Sequence, residues 1–144
     1  MSTVDLDQHS GIRPLSQEQC IELLGAAAVG RVGFVSNDGV EIIPVGYRLG
    51  IGPRLFMSTQ PWGILGQLAE RGATCSVEVD HHGDTVGTGW SVLMRGTLSR
   101  LDGAGTAAYA ELDHALDAWP GYPDARPVQF VASSYSGRSV VRPS

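Results

Sequence analysis

Lysine is absent from the 144 residues, so ten arginines carry all of the permanent positive side-chain charge against fifteen acidic residues, for a net charge of -5. The arginines are scattered singly. Nothing concentrates the field that nucleic acid or an anionic membrane would require, and neither is an expected partner. Cysteine is scarce as well: Cys20 and Cys75 lie far apart and outside any CxxC pair. A disulfide scaffold or zinc site therefore has no support, and both residues read as reduced thiols on apolar faces. No apolar run approaches the roughly 20 residues that cross a bilayer. The segment Met1 to Pro14 is polar and acidic, without the apolar stretch of a signal peptide. The expectation is a cytoplasmic protein with a flexible tail over 1–14 and one domain over 15–144. No GxSxG elbow, P-loop or HExxH pattern occurs, so hydrolase and nucleoside triphosphatase chemistry lack a carrier.

What is present is 42% hydrophobic residues with 19 glycines and 8 prolines, enough for one core without staples. Ser16 followed by Gln19 forms a capping box, and Cys20, Leu23, Leu24, Ala27 and Ala28 recur at helical spacing, predicting an amphipathic helix ended by Gly30. Strand material follows from Arg31 to Ser36, then Asn37-Asp38-Gly39 as a hairpin turn and a partner strand from Val40 to Leu49. Pro44 removes one ladder donor, which marks that strand as an edge or a bulge. Arg54 to Thr59 is a third strand. Thr59, Gln60 and Pro61 read as a helix entry, and the helix to Arg71 carries Gly63 and Gly66 at positions where close packing or ligand approach must favour small residues.

Ala73 to Asp80 alternates cleanly, as a half-buried antiparallel strand does. Thr88 to Leu101 is the longest strand signal, with a bend or bulge at Gly96. Ala104 to Trp119 is helical and is broken by Pro120-Gly-Tyr-Pro123. Val128 to Ser133 and Gly137 to Val141 read as two strands separated by Ser134-Tyr-Ser136. Six to seven antiparallel strands with short inserted helices make a mainly β fold, and closure into a small barrel removes exposed edges.

Two motifs have ordinary explanations. Gly103-Ala-Gly105-Thr-Ala-Ala108 matches a dinucleotide-binding pattern, but its strand alternates and no acid-terminated apolar strand follows, so a glycine turn entering a helix is the better reading. His81-His82, in the polar turn Asp80 to Asp84, needs a distant ligand to hold a metal, and turns favour such residues for backbone reasons. His9 and His114 have no visible catalytic partner, and no metal is expected.

Taken in order and spacing, Val29-Gly-Arg-Val-Gly-Phe-Val35, Ile43-Pro-Val-Gly-Tyr47, Phe56-Met-Ser-Thr-Gln60, Gly89-Trp-Ser-Val-Leu-Met-Arg-Gly96 and Ser136-Gly-Arg-Ser139 resemble the pyridoxamine 5'-phosphate oxidase-like family. These are split β-barrels that bind FMN, and the actinobacterial branch related to nitroimidazole-resistance proteins is the most similar. The resemblance spans roughly residues 16 to 142. It implies a homodimer with two flavins in clefts between the subunits. Position by position, it sets Pro44, Val45 and Tyr47 on the strand approaching the ring, and Ser58, Thr59 and Gln60 at the ribityl chain and phosphate. Trp90 and Ser91 would line the cleft from the second subunit, and Arg138 would stand near the cofactor or the interface.

The departures concern charge. Relatives commonly carry Arg-Thr and then Gly and Lys at the helix start, where this chain has Ser58-Thr59, Trp62 and Ile64. Two phosphate-binding cations are thus missing. Thr59, the Gly63 backbone and an arginine from Arg54, Arg71 or Arg138 are the remaining means of holding a phosphate. Trp62 and Trp90 suit ring stacking and core or interface packing equally well. The resemblance implies an oxidoreductase acting on a small, planar, electron-poor substrate with FMN, or with the deazaflavin F420 as the nearest variant. No side chain stands out as an acid or base. The missing cations motivate a second reading: a non-enzymatic flavin, F420 or haem binding protein, or a barrel without a cofactor.

Overall fold

The computed structural model describes residues 11–60, 62–83, 88–112 and 125–141. Eight strands form one antiparallel sheet: β1 (Ile12–Leu15), β2 (Val29–Ser36), β3 (Gly39–Gly46), β4 (Arg48–Gly50), β5 (Arg54–Thr59), β6 (Thr74–His82), β7 (Gly89–Ser99) and β8 (Arg126–Val140). Their order is β3-β2-β6-β7-β8-β5-β4, with β1 added to β8. The sheet curls so that β3 approaches β5 without pairing to it. This is the expected split barrel, and the split lies between β3 and β5. Three helices pack on it: α1 (Gln17–Gly25), α2 (Ile64–Glu70) and α3 (Gly103–Ala110).

Alternation places the core. Val32, Phe34, Cys75, Val77, Val79, Val92, Met94 and Leu98 all point inward and are buried. Pro44 sits on edge strand β3, which spares a central ladder its missing donor. In the β2–β3 hairpin Ser36 pairs with Gly39, and of the turn residues only Gly39 takes a positive φ, at 124°. The register shift expected at Gly96 is there, but the extra residue belongs to the facing strand. Arg95 pairs with Ser134 and Gly96 with Ala132, leaving Ser133 to donate its hydroxyl to the Arg95 carbonyl at 3.0 Å.

Several boundaries differ from the sequence expectation. Residues 12–14 belong to β1 and pair with Ser139, Val140 and Arg138 of β8, so the chain is already part of the sheet there. Helix α1 keeps its capping box, with Gln19 N–H donating to Ser16 Oγ at 3.1 Å and Ser16 N–H to Gln19 Oε1 at 2.8 Å. It ends at Gly25, because Val29 and Gly30 pair with β3. The strand beginning at Val40 breaks at Tyr47, whose N–H donates to the Ala28 carbonyl. His81 and His82 continue β6 opposite Trp90 and Gly89 instead of turning. Ser134-Tyr-Ser136 does not separate two strands: Ser134 and Ser136 face solvent and Tyr135 packs on the core, so β8 runs unbroken for 15 residues. Thr59 is the last residue of β5, paired with Arg126, and α2 is capped by Gly63. Pro61, Asp84, the helical pattern from Asp113 to Trp119 with His114, the break over 120–123, and His9 lie outside the described residues.

Candidate functional site

The candidate residues fall into three groups. The first lies in the split of the barrel. Ser58, Thr59, Gln60 and Gly63 line a recess of about 270 Å3 together with Ile43, Ile64, Leu65 and Ala125. Its walls follow from topology: β3 and β5 have no ladder between them, so the gap is bounded by Ile43 on one side and the end of β5 on the other. Thr59 Oγ1 donates to the Gln60 carbonyl at 3.1 Å, and Gly63 N–H donates to the same carbonyl at 3.0 Å. A Cβ at position 63 would stand 3.2 Å from Thr59 Oγ1 and 3.3 Å from the Gln60 carbonyl oxygen. Of the two reasons considered for a small residue here, these contacts are the close packing of the turn on itself, and as the N-cap of α2 Gly63 lies outside the helix interior where glycine is disfavoured. The lining of the recess offers hydroxyls, a carboxamide and aliphatic groups, and none of the lining residues carries charge.

The second group lies on the outer face of the sheet. Because cross-strand partners share a face, the pairings Pro44–Arg31, Arg31–Glu78, Glu78–Leu93 and Leu93–Ser136 form one row across five strands. Asp80, Ser91 and Arg138 form the next. Pro44, Ser91 and Arg138 thus belong to this face. It carries a shallow groove of about 670 Å3 bounded by Val35, Val40, Ile42, Leu93, Arg31 and Arg95 among others. Val35, Val40 and Ile42 are 71%, 77% and 67% exposed.

The third group points inward. Val45 is buried, and Tyr47 is buried with its hydroxyl donating to the Leu24 carbonyl at 2.7 Å. Burial pushes the Tyr47 phenol up to about 12. Both side chains serve the core, which leaves only strand backbone at these positions for a ligand. Trp90 packs against the core, and its ring stacks on His81 with centroids 6.4 Å apart.

The cations considered for a phosphate lie elsewhere. Arg54 is at the far end of β5 from Ser58, where it donates to Gln129 Oε1 at 2.7 Å and to Asp102 at 3.2 Å. Arg71 caps the opposite end of α2 from Gly63. The glycine pattern at 103–108 is explained by structure alone: Asp102 caps α3 through the Gly105 N–H, and a side chain at Gly105 would collide with buried Gln129.

Sequence reasoning missed Arg31, Glu78 and Asp80. Arg31 donates to Glu78 at 2.9 Å and to Asp80 at 3.4 Å. Burial, then the neighbouring Asp80, raises the Glu78 carboxyl, while its hydrogen bond to Glu78 and the Arg31 charge hold Asp80 down. The signal was available: Arg31 stands in the Val-Gly-Arg segment, and Glu78 and Asp80 lie two apart on the polar face of β6. Among the described residues, no three metal-ligating side chains gather, and no helix is long and apolar enough to cross a membrane.

Solved structures with this architecture include an FAD binding protein from Mycobacterium smegmatis, 24% identical over 88% of this chain and 98% of that one, with a TM-score of 0.72. An FAD-binding protein from Mesorhizobium loti is 23% identical over 91% and 98%, with a TM-score of 0.72. An FAD and haem binding protein from M. smegmatis is 16% identical over 92% and 74%, with a TM-score of 0.67. No curated protein sequence matches. The family model described as pyridoxamine 5'-phosphate oxidase matches residues 16–139, nearly the whole of the described barrel, and the chain belongs to that family.

Proposed function

We propose that this protein binds a flavin, FMN in the first instance, in a cleft completed by a second copy of the chain, and works as an oxidoreductase on a small planar electron-poor substrate. The observation that carries the reading is the uncapped slot between β3 and β5, which gathers Ser58, Thr59, Gln60 and Gly63. The flavin-binding neighbours support it. At about 270 Å3 the recess is smaller than the roughly 300–1,000 Å3 typical of ligand pockets. One chain therefore holds the polar tail of a flavin, and a partner must cover the ring. The exposed valines and Ile42 on the outer face of β2 and β3 supply an apolar surface suited to that partner.

A bound flavin supplies hydride or electron transfer. The protein's part is to bind and orient it. The hydroxyls of Ser58 and Thr59 and the Gln60 carboxamide hydrogen-bond the tail, and Ile43, Ile64 and Leu65 exclude water. None of the recess-lining residues is an acid or a base, so proton transfer falls to solvent, to substrate or to the second copy. The test is the absorbance spectrum of freshly purified protein, followed by titration with FMN and F420. Yellow protein, or saturable binding of either, is expected; colourless protein that ignores both overturns the reading. The uncharged recess favours one rival, a non-enzymatic carrier. A flavin that binds but accepts no electrons from nicotinamide or deazaflavin donors would establish it.

A further inference from the structure

The residues lining the recess offer hydroxyls and a carboxamide but no charge of their own. A phosphate monoester carries between one and two negative charges near pH 7, and taking that charge from water needs a cation or several donors. One strand over from Thr59, the structure supplies a cation. Arg126 opens β8 and pairs with Thr59 of β5, and partners across a ladder share a face, with Cβ atoms about 5 Å apart. Alternation says which face. Leu55 and Met57 pair with Phe130 and Val128, and all four point into the core. Thr59 and Arg126 come two positions further and continue that inward side to its open end, where Thr59 lines the recess. Pro127 helps to hold this setting, because a residue before proline is confined to extended backbone. The guanidinium stays at the rim: its Nη1 donates at 3.2 Å to the carbonyl of Ala125, which lines the recess.

We infer that Arg126 is the cation that holds the phosphate of FMN at the mouth of the recess, an inference that rests on the flavin reading above. Ser58 and Ile64 bring no charge to the slot, and the charge reaches it from β8 instead. Thr59 Oγ1 and the guanidinium approach one phosphate from paired positions of two strands, and a guanidinium presents its N–H groups as a fork that matches phosphate oxygens. Arg126 is exposed, so the flavin-free protein carries no cost of burying its charge. The site therefore selects a phosphorylated tail over a neutral one. A hydrogen bond to a charged group corresponds to roughly 10- to 100-fold in affinity, and an exposed cation loses part of that to salt.

Calorimetric titration of the flavin-free protein with riboflavin and FMN, at low and high salt, tests this in the wild type, R126A and R126K. The wild type is expected to bind FMN at least about tenfold more tightly than riboflavin at low salt, with the margin shrinking as salt rises. R126A should remove the margin and its salt dependence and leave riboflavin affinity as it is. R126K should keep part of the margin, since an ammonium binds phosphate as a point charge. R71A, which removes an arginine from the opposite end of α2, should keep all of it. R126Q, which keeps most of the side chain without its charge, stands in should R126A fail to fold. A margin unchanged in R126A or R126Q would overturn the inference and leave the flavin reading intact. So would a variant that loses both ligands alike, which would make Arg126 a structural residue, and so would a wild type that binds riboflavin as tightly as FMN. If neither flavin binds the wild type, both readings fall together.

Discussion

At the scale of single residues, burial gives two groups a measurable pH signature. Cys75 is buried and its thiol rises from an ordinary 9.0 to about 11, and Tyr47 rises from 10.0 to about 12, each by desolvation of its charged form. In both cases the folded state keeps a proton that the unfolded chain releases. Their contribution to stability is full below pH 9 and is lost as pH climbs through 9 to 11 for Cys75 and 10 to 12 for Tyr47. The urea midpoint is therefore expected to fall from pH 9 upward. C75A should flatten the lower part of that fall and Y47F the upper part. Y47F should also lower stability by about 1 kcal/mol at neutral pH, since it removes the bond to the Leu24 carbonyl; a midpoint independent of pH up to 11 would contradict the assignment. The recess gives a second residue-scale prediction. I64K places a cation on its wall, so FMN affinity should rise about tenfold at low salt, and the gain should shrink as salt screens it. Titration at two ionic strengths reads both. The recess itself was partly legible in the sequence: Ser58, Thr59, Gln60 and Gly63 do come together. What the sequence hid is where the recess gives way to the core. Val45 and Tyr47 follow recess-lining Ile43 by two and four positions and share its inward side, but farther along the chain they are taken up by the core, and Tyr47 finds its partner in the Leu24 carbonyl of α1.

Among the elements, α1 shows what holds a short helix. Its nine residues are too few to be stable alone, and it has both a complete capping box and two buried anchors, Cys20 and Leu24. Packing should outweigh capping. L24A is expected to lower unfolding free energy by 2–5 kcal/mol through lost burial and the cavity left behind, and S16A by about 1 kcal/mol, both read from urea denaturation. Comparable losses would mean that the helix is held by its cap. The same contrast explains which elements could be read from sequence. The box at Ser16, the hairpin turn at 37–39 and the alternation of β6 and β7 are local patterns, and they stand where expected. β1 was invisible because four residues carry no period, and only pairing with β8 makes it a strand; β4 was read as the end of the strand from Val40, and the break at Tyr47 that sends it to β5 was not. The polar Ser134-Tyr-Ser136 looked like a break because two serines on a solvent face and two serines in a turn are the same letters.

For the whole molecule, the open question is what covers the outer face of β2 and β3. Strands exposed on one side should be polar there, yet Val35, Val40 and Ile42 are more than half exposed, and Arg31 is held among them by Glu78 and Asp80. No interface stripe could be isolated from the sequence, because both faces of these strands are apolar and nothing local says which one is the core. If two copies meet through this surface, each Ile42 is removed from water. I42E then buries a carboxylate without a partner on both copies, and such a charge opposes association strongly. The wild type is expected to sediment as a dimer at micromolar concentration and I42E as a monomer. The urea midpoint should barely move, because Ile42 is 67% exposed within one chain. Flavin affinity should fall with the dimer, since the recess in a single chain is too small to enclose the ring. A monomeric wild type that binds flavin would refute the shared cleft, whereas an I42E dimer of unchanged affinity would refute the outer face as the interface. A monomeric I42E protein with unimpaired flavin binding would separate the two claims, leaving the outer face as an interface and the slot between β3 and β5 as a complete site on its own.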